Sequence, residues 1–79
     1  MPYFVYLVEC RDRSYYCGYT DDLKKRIEAH NSGKGAKYTQ RRRPVRLVHR
    51  EEFETRSLAM KREAQIKKLS RKEKEELVY

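Results

Sequence analysis

Several things are scarce in this 79-residue chain. No apolar run approaches the ~18 residues of a membrane span, and no secretory leader is visible. A cytoplasmic protein with no membrane partner is therefore expected. Cysteine occurs twice, at Cys10 and Cys17, without metal-ligand spacing or a second pair. The two thiols could face each other across a hairpin, but in a reducing cytosol packed thiols are expected. Leu, Ile, Val and Phe together number only 15 of 79, and the net charge is +8, a composition at the border of disorder. Acid is missing altogether from Ala29 to Arg50, a span of 22 residues with seven cations. Such density repels itself unless a polyanion neutralises it, which points first to nucleic acid and second to an anionic membrane surface.

What the chain does have is tyrosine, seven in all. Tyrosine supplies large apolar area with a polar tip, so each buried ring wants a partner for its hydroxyl. The length fits one small domain over residues 1–79, burying ~60–65% of its unfolded surface.

Read in order, Tyr3 to Val8 is a continuous apolar run, the pattern of a strand covered on both faces. Glu9 to Ser14 reads as a turn with Asp12 as turn former. Tyr15 to Tyr19 returns as a second strand, interrupted by Gly18, as happens where a backbone or ligand comes close. Thr20 or Asp21 can cap a helix that runs to about Asn31, with Asp22 at its positive end and Gly33 as its left-handed stop. Lys34 to Arg43 is a basic connector. Pro44 favours an extended entry into a third strand, Val45 to Phe53, with Val45, Leu47 and His49 on one face and Arg46, Val48 and Arg50 on the other. A second helix starts near Thr55 to Ser57 and runs to about Leu69. Ser70 and Glu73 form a capping box for a third helix running towards Tyr79 and burying Leu77 and Val78. The expected fold is α+β: a small three-stranded antiparallel or mixed sheet flanked by helices, in the order β-β-α-β-α-α.

Two helical positions carry chemistry. Arg26 and His30 are four apart and flank the Leu23/Ile27 stripe, so a guanidinium and an imidazole sit together at the rim of the core. On the second helix Leu58, Ala59, Ile66 and Leu69 mark the buried side, and Glu63 falls on that stripe. An inward carboxylate is costly unless paired or metal-bound. The spacing allows an ion pair with Arg26 or another cation, or an oxygen ligand for Mg²⁺.

The ordered set Phe4-Val5-Tyr6, Tyr16-Cys17-Gly18, Arg26, His30 and Glu63 resembles the GIY-YIG endonuclease superfamily over roughly residues 3 to 69. The segment Asn31 to Thr39 and the Arg42-Arg43-Pro44-Val45 run look like its short stand-alone bacterial members. The resemblance implies a metal-dependent nuclease that hydrolyses phosphodiester bonds. Tyr6 would act as general base assisted by Tyr16, Arg26 would stabilise charge on the phosphate, and His30 would orient or help the proton relay. Glu63 would hold one Mg²⁺ or Mn²⁺, with Val5 and Gly18 as motif residues. A phenol with pKa about 10 is a poor base at neutral pH, and Arg26 with a metal would favour its phenolate. If Tyr6 and Tyr16 share a site, the hairpin needs a three-residue loop or a bulge near Arg11 to Ser14 to put both rings on one face.

Phe4 stands where the first motif has glycine, no Asn follows Glu63 as in many catalytic members, and a separate DNA-binding domain such as longer members attach is not expected. Target choice supplied by a protein partner fits that economy. Lys34, Lys37, Arg41, Arg42 and Arg43 are the candidate nucleic-acid contacts, with DNA favoured over RNA. No base-reading motif such as a zinc finger is evident, so cleavage directed by structure rather than by sequence is expected. The alternative is a non-catalytic nucleic-acid-binding domain on the same scaffold.

Overall fold

The computed structural model describes residues 2–78, so Met1 and the expected helix end at Tyr79 lie outside the described residues. Strands β1 (Tyr3–Glu9), β2 (Tyr15–Thr20) and β3 (Arg46–Phe53) form one sheet in the order β2-β1-β3, antiparallel throughout. Helices α1 (Leu23–Ser32), α3 (Arg56–Lys67) and α4 (Arg71–Val78) match the three expected ones. One turn of helix, α2 (Lys37–Gln40), forms inside the basic connector and was not foreseen.

The central strand is buried on both faces. Val5, Tyr6, Leu7 and Val8 have no exposed surface. Val5 and Leu7 pack with Cys17, Ala59 and Ile66 under α3. Tyr6 and Val8 pack with Cys10, Val45, Leu23 and Ile27 under α1. Each such aliphatic side chain contributes about 1.5–3 kcal/mol relative to exposure. A thin sheet thus builds two half-cores from alternate residues of one strand. Leu77 and Val78 of α4 pack partly buried against the first half-core, as expected.

The β1–β2 connection sets which side chains meet. The Cys10 amide donates to the Ser14 carbonyl (2.8 Å) and the Arg13 amide to the Cys10 carbonyl (2.9 Å), leaving Arg11, Asp12 and Arg13 as the loop. Arg13 takes the left-handed conformation (φ 72°) that such three-residue loops use. Tyr6 then lies opposite Gly18 and Val8 opposite Tyr16, so both motif tyrosines emerge on the α1 face.

Helix α1 is capped by Asp22, whose carboxylate accepts from the Lys25 amide (3.1 Å), rather than by Thr20 or Asp21. Thr20 instead bonds the Asp22 backbone and shapes the approach to the cap. Gly33 ends the helix at φ 85°. Thr55 caps α3, and Ser70 with Glu73 forms the capping box of α4.

Two expectations about packing fail for one reason each. In β3 a bulge opposite Leu7/Val8 pairs His49 with Leu7 and Leu47 with Val8. Val45 and Val48 keep the opposite faces expected of them, but regular alternation is broken and His49 moves to the Leu7 face with Val48, away from Val45 and Leu47. In α3 Leu58 is 48% exposed, because only a narrow stripe through Ala59 and Ile66 reaches the sheet. The helix is held instead by a polar bracket. The Arg62 guanidinium donates to both oxygens of Glu51 on β3 (2.9 and 3.1 Å), and His49 bonds the same carboxylate (2.7 Å). Burial pushes the Glu51 carboxyl up, but the Arg62 and His49 bonds outweigh it and hold it below its ordinary range. This fork fixes the rotation of α3 about its axis and so sets where the next residue, Glu63, points.

Candidate active site

Tyr6, Arg26, His30 and Thr39 form one hydrogen-bonded line. The Arg26 Nε–H donates to the Tyr6 hydroxyl (3.2 Å). The Tyr6 hydroxyl lies 2.8 Å from His30 Nε2, and His30 Nδ1 lies 2.8 Å from Thr39 Oγ1. Thr39 spends its own proton on the Ala36 carbonyl (2.9 Å). Its oxygen is thereby left to accept, so Nδ1 carries the imidazole proton and Nε2 accepts from Tyr6. The line has a direction: guanidinium to phenol, phenol to imidazole, imidazole to threonine, threonine to carbonyl.

The electrostatics support neutral members. His30 has no exposed surface. Burial, with the Arg26 charge nearby, holds it below the ordinary histidine value. Tyr6 is pushed up to about 12 by burial, which outweighs the Arg26 hydrogen bond and charge that pull it down. Arg26 does favour the phenolate, as expected, but desolvation is the larger effect and the net direction is upward. Arg26 is itself raised, first by the Tyr6 hydrogen bond and also by the Tyr16 hydroxyl, so its guanidinium faces both phenols.

Two glycines make room for this line. A Cβ on Gly18 would press on the Tyr6 hydroxyl and stand 2.7 Å from Cζ. The glycine of the second motif is thus the floor on which the first-motif phenol lies. A Cβ on Gly35 would collide with the His30 ring and stand 2.9 Å from its Cα. Gly35 and Thr39 went unremarked in sequence as site residues. A lone short hydroxyl side chain in a basic run, Thr39, was the available signal.

Tyr16 covers the line from outside. Its ring centroid is 5.4 Å from that of His30 and 6.5 Å from that of Tyr6. Tyr38 stacks on it at 5.8 Å, and Arg42 sits 4.0 Å over the Tyr38 ring. Arg42 also donates to Asp12 (3.0 Å) and to the Tyr38 carbonyl (2.8 Å), so it ties the hairpin loop to α2. Arg43 donates to the Gln40 and Asn31 carbonyls. Lys34, Lys37 and Arg41 are exposed, with no side-chain hydrogen bond or ion pair. The five candidate nucleic-acid cations therefore split into three unengaged ones and two that brace the connector.

Glu63 stands apart from the hydrogen-bonded line. It comes from α3, on the other face of the sheet, but reaches the β2 edge. There it helps, after burial, to push the Cys17 thiol up to about 11. Its carboxylate is 3.8 Å from Lys67 Nζ, and that ammonium is 5.9 Å from the Tyr16 ring centroid. One lysine thus spans the gap between Glu63 and Tyr16, and the ion-pair partner is Lys67 rather than Arg26. Among the described residues no three His, Cys, Asp or Glu side chains gather as a metal cage. A carboxylate that is 19% exposed, and whose one ion pair among the described residues is a long lysine contact, is open to a further cation. It fits a hard ion that takes its other ligands from water and phosphate. Val5, the remaining motif residue, faces away into the α3 half-core.

Comparison with known proteins identifies the family and the fold. The family model of the GIY-YIG catalytic domain matches residues 2–76. A UPF0213 protein of Bacillus velezensis is 54% identical over 76 residues, covering 96% of this chain and 77% of the relative. The solution structure of a UPF0213 protein from Bacillus halodurans superimposes with a TM-score of 0.63 at 51% identity, covering 99% of this chain and 83% of that one. A solution structure from E. faecalis gives 0.66 at 51% identity over 96% of this chain and 81% of that one. The chain belongs to the GIY-YIG family, a superfamily of nucleases.

Proposed function

We propose that the protein is a metal-dependent endonuclease that hydrolyses phosphodiester bonds in DNA, selecting its substrate by structure rather than by sequence. The observation that carries this reading is the directed line from Arg26 through Tyr6 to a neutral His30. Tyr6 has one donor and two acceptor lone pairs. Its donor goes to His30 and one lone pair takes Arg26. The other lone pair can accept a proton from an attacking water as Tyr6 passes its own proton to Nε2. No phenolate has to form beforehand, which suits a phenol pushed up to about 12. His30 ends as imidazolium, with its Nδ1–H held on Thr39.

Tyr6 and His30 have no exposed surface, so incoming DNA meets Arg26 and Tyr16 first. The terminal amino groups of Arg26 offer paired donors that match phosphate oxygens. Drawing Arg26 towards a phosphate uncovers the phenol for water, so binding and activation are coupled. Glu63 would hold the divalent cation, Mg²⁺ or Mn²⁺, with phosphate and water as its other ligands. That ion would supply Lewis acidity at the phosphate and the leaving oxygen.

The experiment is incubation of the protein with forked, nicked and junction DNA and with RNA, with and without Mg²⁺ or Mn²⁺. Cleavage of one or more branched DNAs that needs the metal and is lost in Arg26→Ala supports the reading. Absence of cleavage on every substrate leaves the binding-domain alternative. Cutting that survives Arg26→Ala points to a contaminant.

A further inference from the structure

We propose that Arg11, Arg41 and Arg43 form a second phosphate-binding cleft, separate from the Arg26 surface, that grips the backbone of the bound nucleic acid beyond the scissile bond. The cleft has a volume of ≈ 580 Å³ and is lined by Arg11, Asn31, Gln40, Arg41, Arg43 and Pro44, with no carboxylate among them. Arg11 comes from the hairpin loop and the other two from the segment after α2. Main-chain contact brings them together, because the Arg11 amide donates to the Arg42 carbonyl at 2.9 Å.

The acids at this end of the molecule are already committed. Glu9 accepts two hydrogen bonds from Arg46, and Asp12 pairs with Arg42. Arg11 and Arg41 are exposed and have no side-chain partner. Arg43 uses its Nε and one amino group on carbonyls, which hold the guanidinium in the cleft wall. Guanidinium groups gathered without acid repel one another until an anion enters, and phosphate matches their paired donors.

The position ties the cleft to the candidate active site. His30 and Thr39 point inward to the Tyr6 line, while their chain neighbours Asn31 and Gln40 line the cleft. The cleft and the buried His30–Thr39 end of the line thus share the α1–α2 corner. A nucleic-acid strand that bends over this corner meets both the cleft and the Arg26 surface. This inference rests on the nuclease reading for what the strand is doing there, but its test is binding.

The experiment measures affinity for labelled duplex and branched DNA, and for RNA, by fluorescence anisotropy over a salt series in chelator. The wild type is compared with Arg11→Ala/Arg41→Ala and with Arg11→Lys/Arg41→Lys. Arg43 is left intact because it braces the connector, and thermal melts check the fold. The alanine pair should lower the slope of log K against log salt by about 1 to 2, while the lysine pair keeps most of it. A wild-type slope in the alanine pair, or no binding by the wild type at low salt, overturns the cleft. Metal-dependent cleavage by a variant whose slope is unchanged would leave the nuclease reading standing without the cleft. An arginine-dependent slope without cleavage would do the reverse.

Discussion

Tyr6→Phe should fold and should lose about 10²–10⁴-fold in cleavage rate, the usual size of a general acid–base contribution. The ring of Tyr6 belongs to the α1 half-core, and phenylalanine keeps that ring. Only the hydroxyl goes. Its removal leaves the Arg26 Nε–H without its acceptor and His30 Nε2 without its donor. His30 is buried, and an orphaned buried group costs about 1–3 kcal/mol, whereas the part-buried Arg26 can turn to water, so the melting temperature should also fall. The loss of activity should exceed what the lost stability explains. Single-turnover cleavage at a temperature where both proteins are fully folded separates the two effects. A Tyr6→Phe rate within about threefold of wild type would take the phenol out of the chemistry.

Glu63→Gln should behave in the opposite way on stability. The partner of Glu63 is Lys67, 3.8 Å away and half-exposed, and such pairs contribute about 0–1 kcal/mol. Melting should barely change. Metal-dependent cleavage should fall by about 10²-fold or more, because a Lewis-acid ion supplies several kcal/mol at the transition state. Affinity for DNA in chelator should hold near the wild-type value. A large activity loss without a stability loss marks a residue kept for function. A destabilised Glu63→Gln with unchanged metal dependence would show that the carboxylate is structural.

Much of the fold was legible because simple periods governed it. A continuous apolar run from Tyr3 to Val8 reads as a strand covered twice, and the helical spacing of Leu23 and Ile27 put Arg26 and His30 together. The hairpin loop followed from a requirement of parity: two phenols on one face demand an odd loop or a bulge, and the Arg11 to Arg13 loop meets it. The failures lie where one residue breaks a period or where contacts are distant in sequence. The bulge at Val48 shifts the faces of β3 without any glycine or proline to announce it. The Arg62–Glu51–His49 bracket joins β3 to α3, and its members read as surface charges when taken singly. Gly35 and Thr39 matter because of what they touch on His30, and no local pattern encodes that contact. The protonation state of Tyr6 depends on a balance between burial and Arg26, and only coordinates show burial winning.

The balance at Tyr6 also gives the sharpest test. In the neutral relay, cleavage needs a neutral imidazole and an intact phenol. His30 lies below its ordinary value of 6.5, so the rate should fall only as pH drops through that lowered value. The phenol is pushed up to about 12, so no rise in rate should come from its ionisation between about pH 7 and pH 10. Single-turnover cleavage with Mg²⁺ at saturating protein, followed from about pH 5 to pH 10, reads both limbs. A drop on the acid side below 6.5, followed by a plateau, is the predicted result. A rate that climbs tenfold per pH unit towards 10 would mean that a group ionised beforehand, a phenolate or metal-bound hydroxide, drives the step, and the relay through His30 would be wrong.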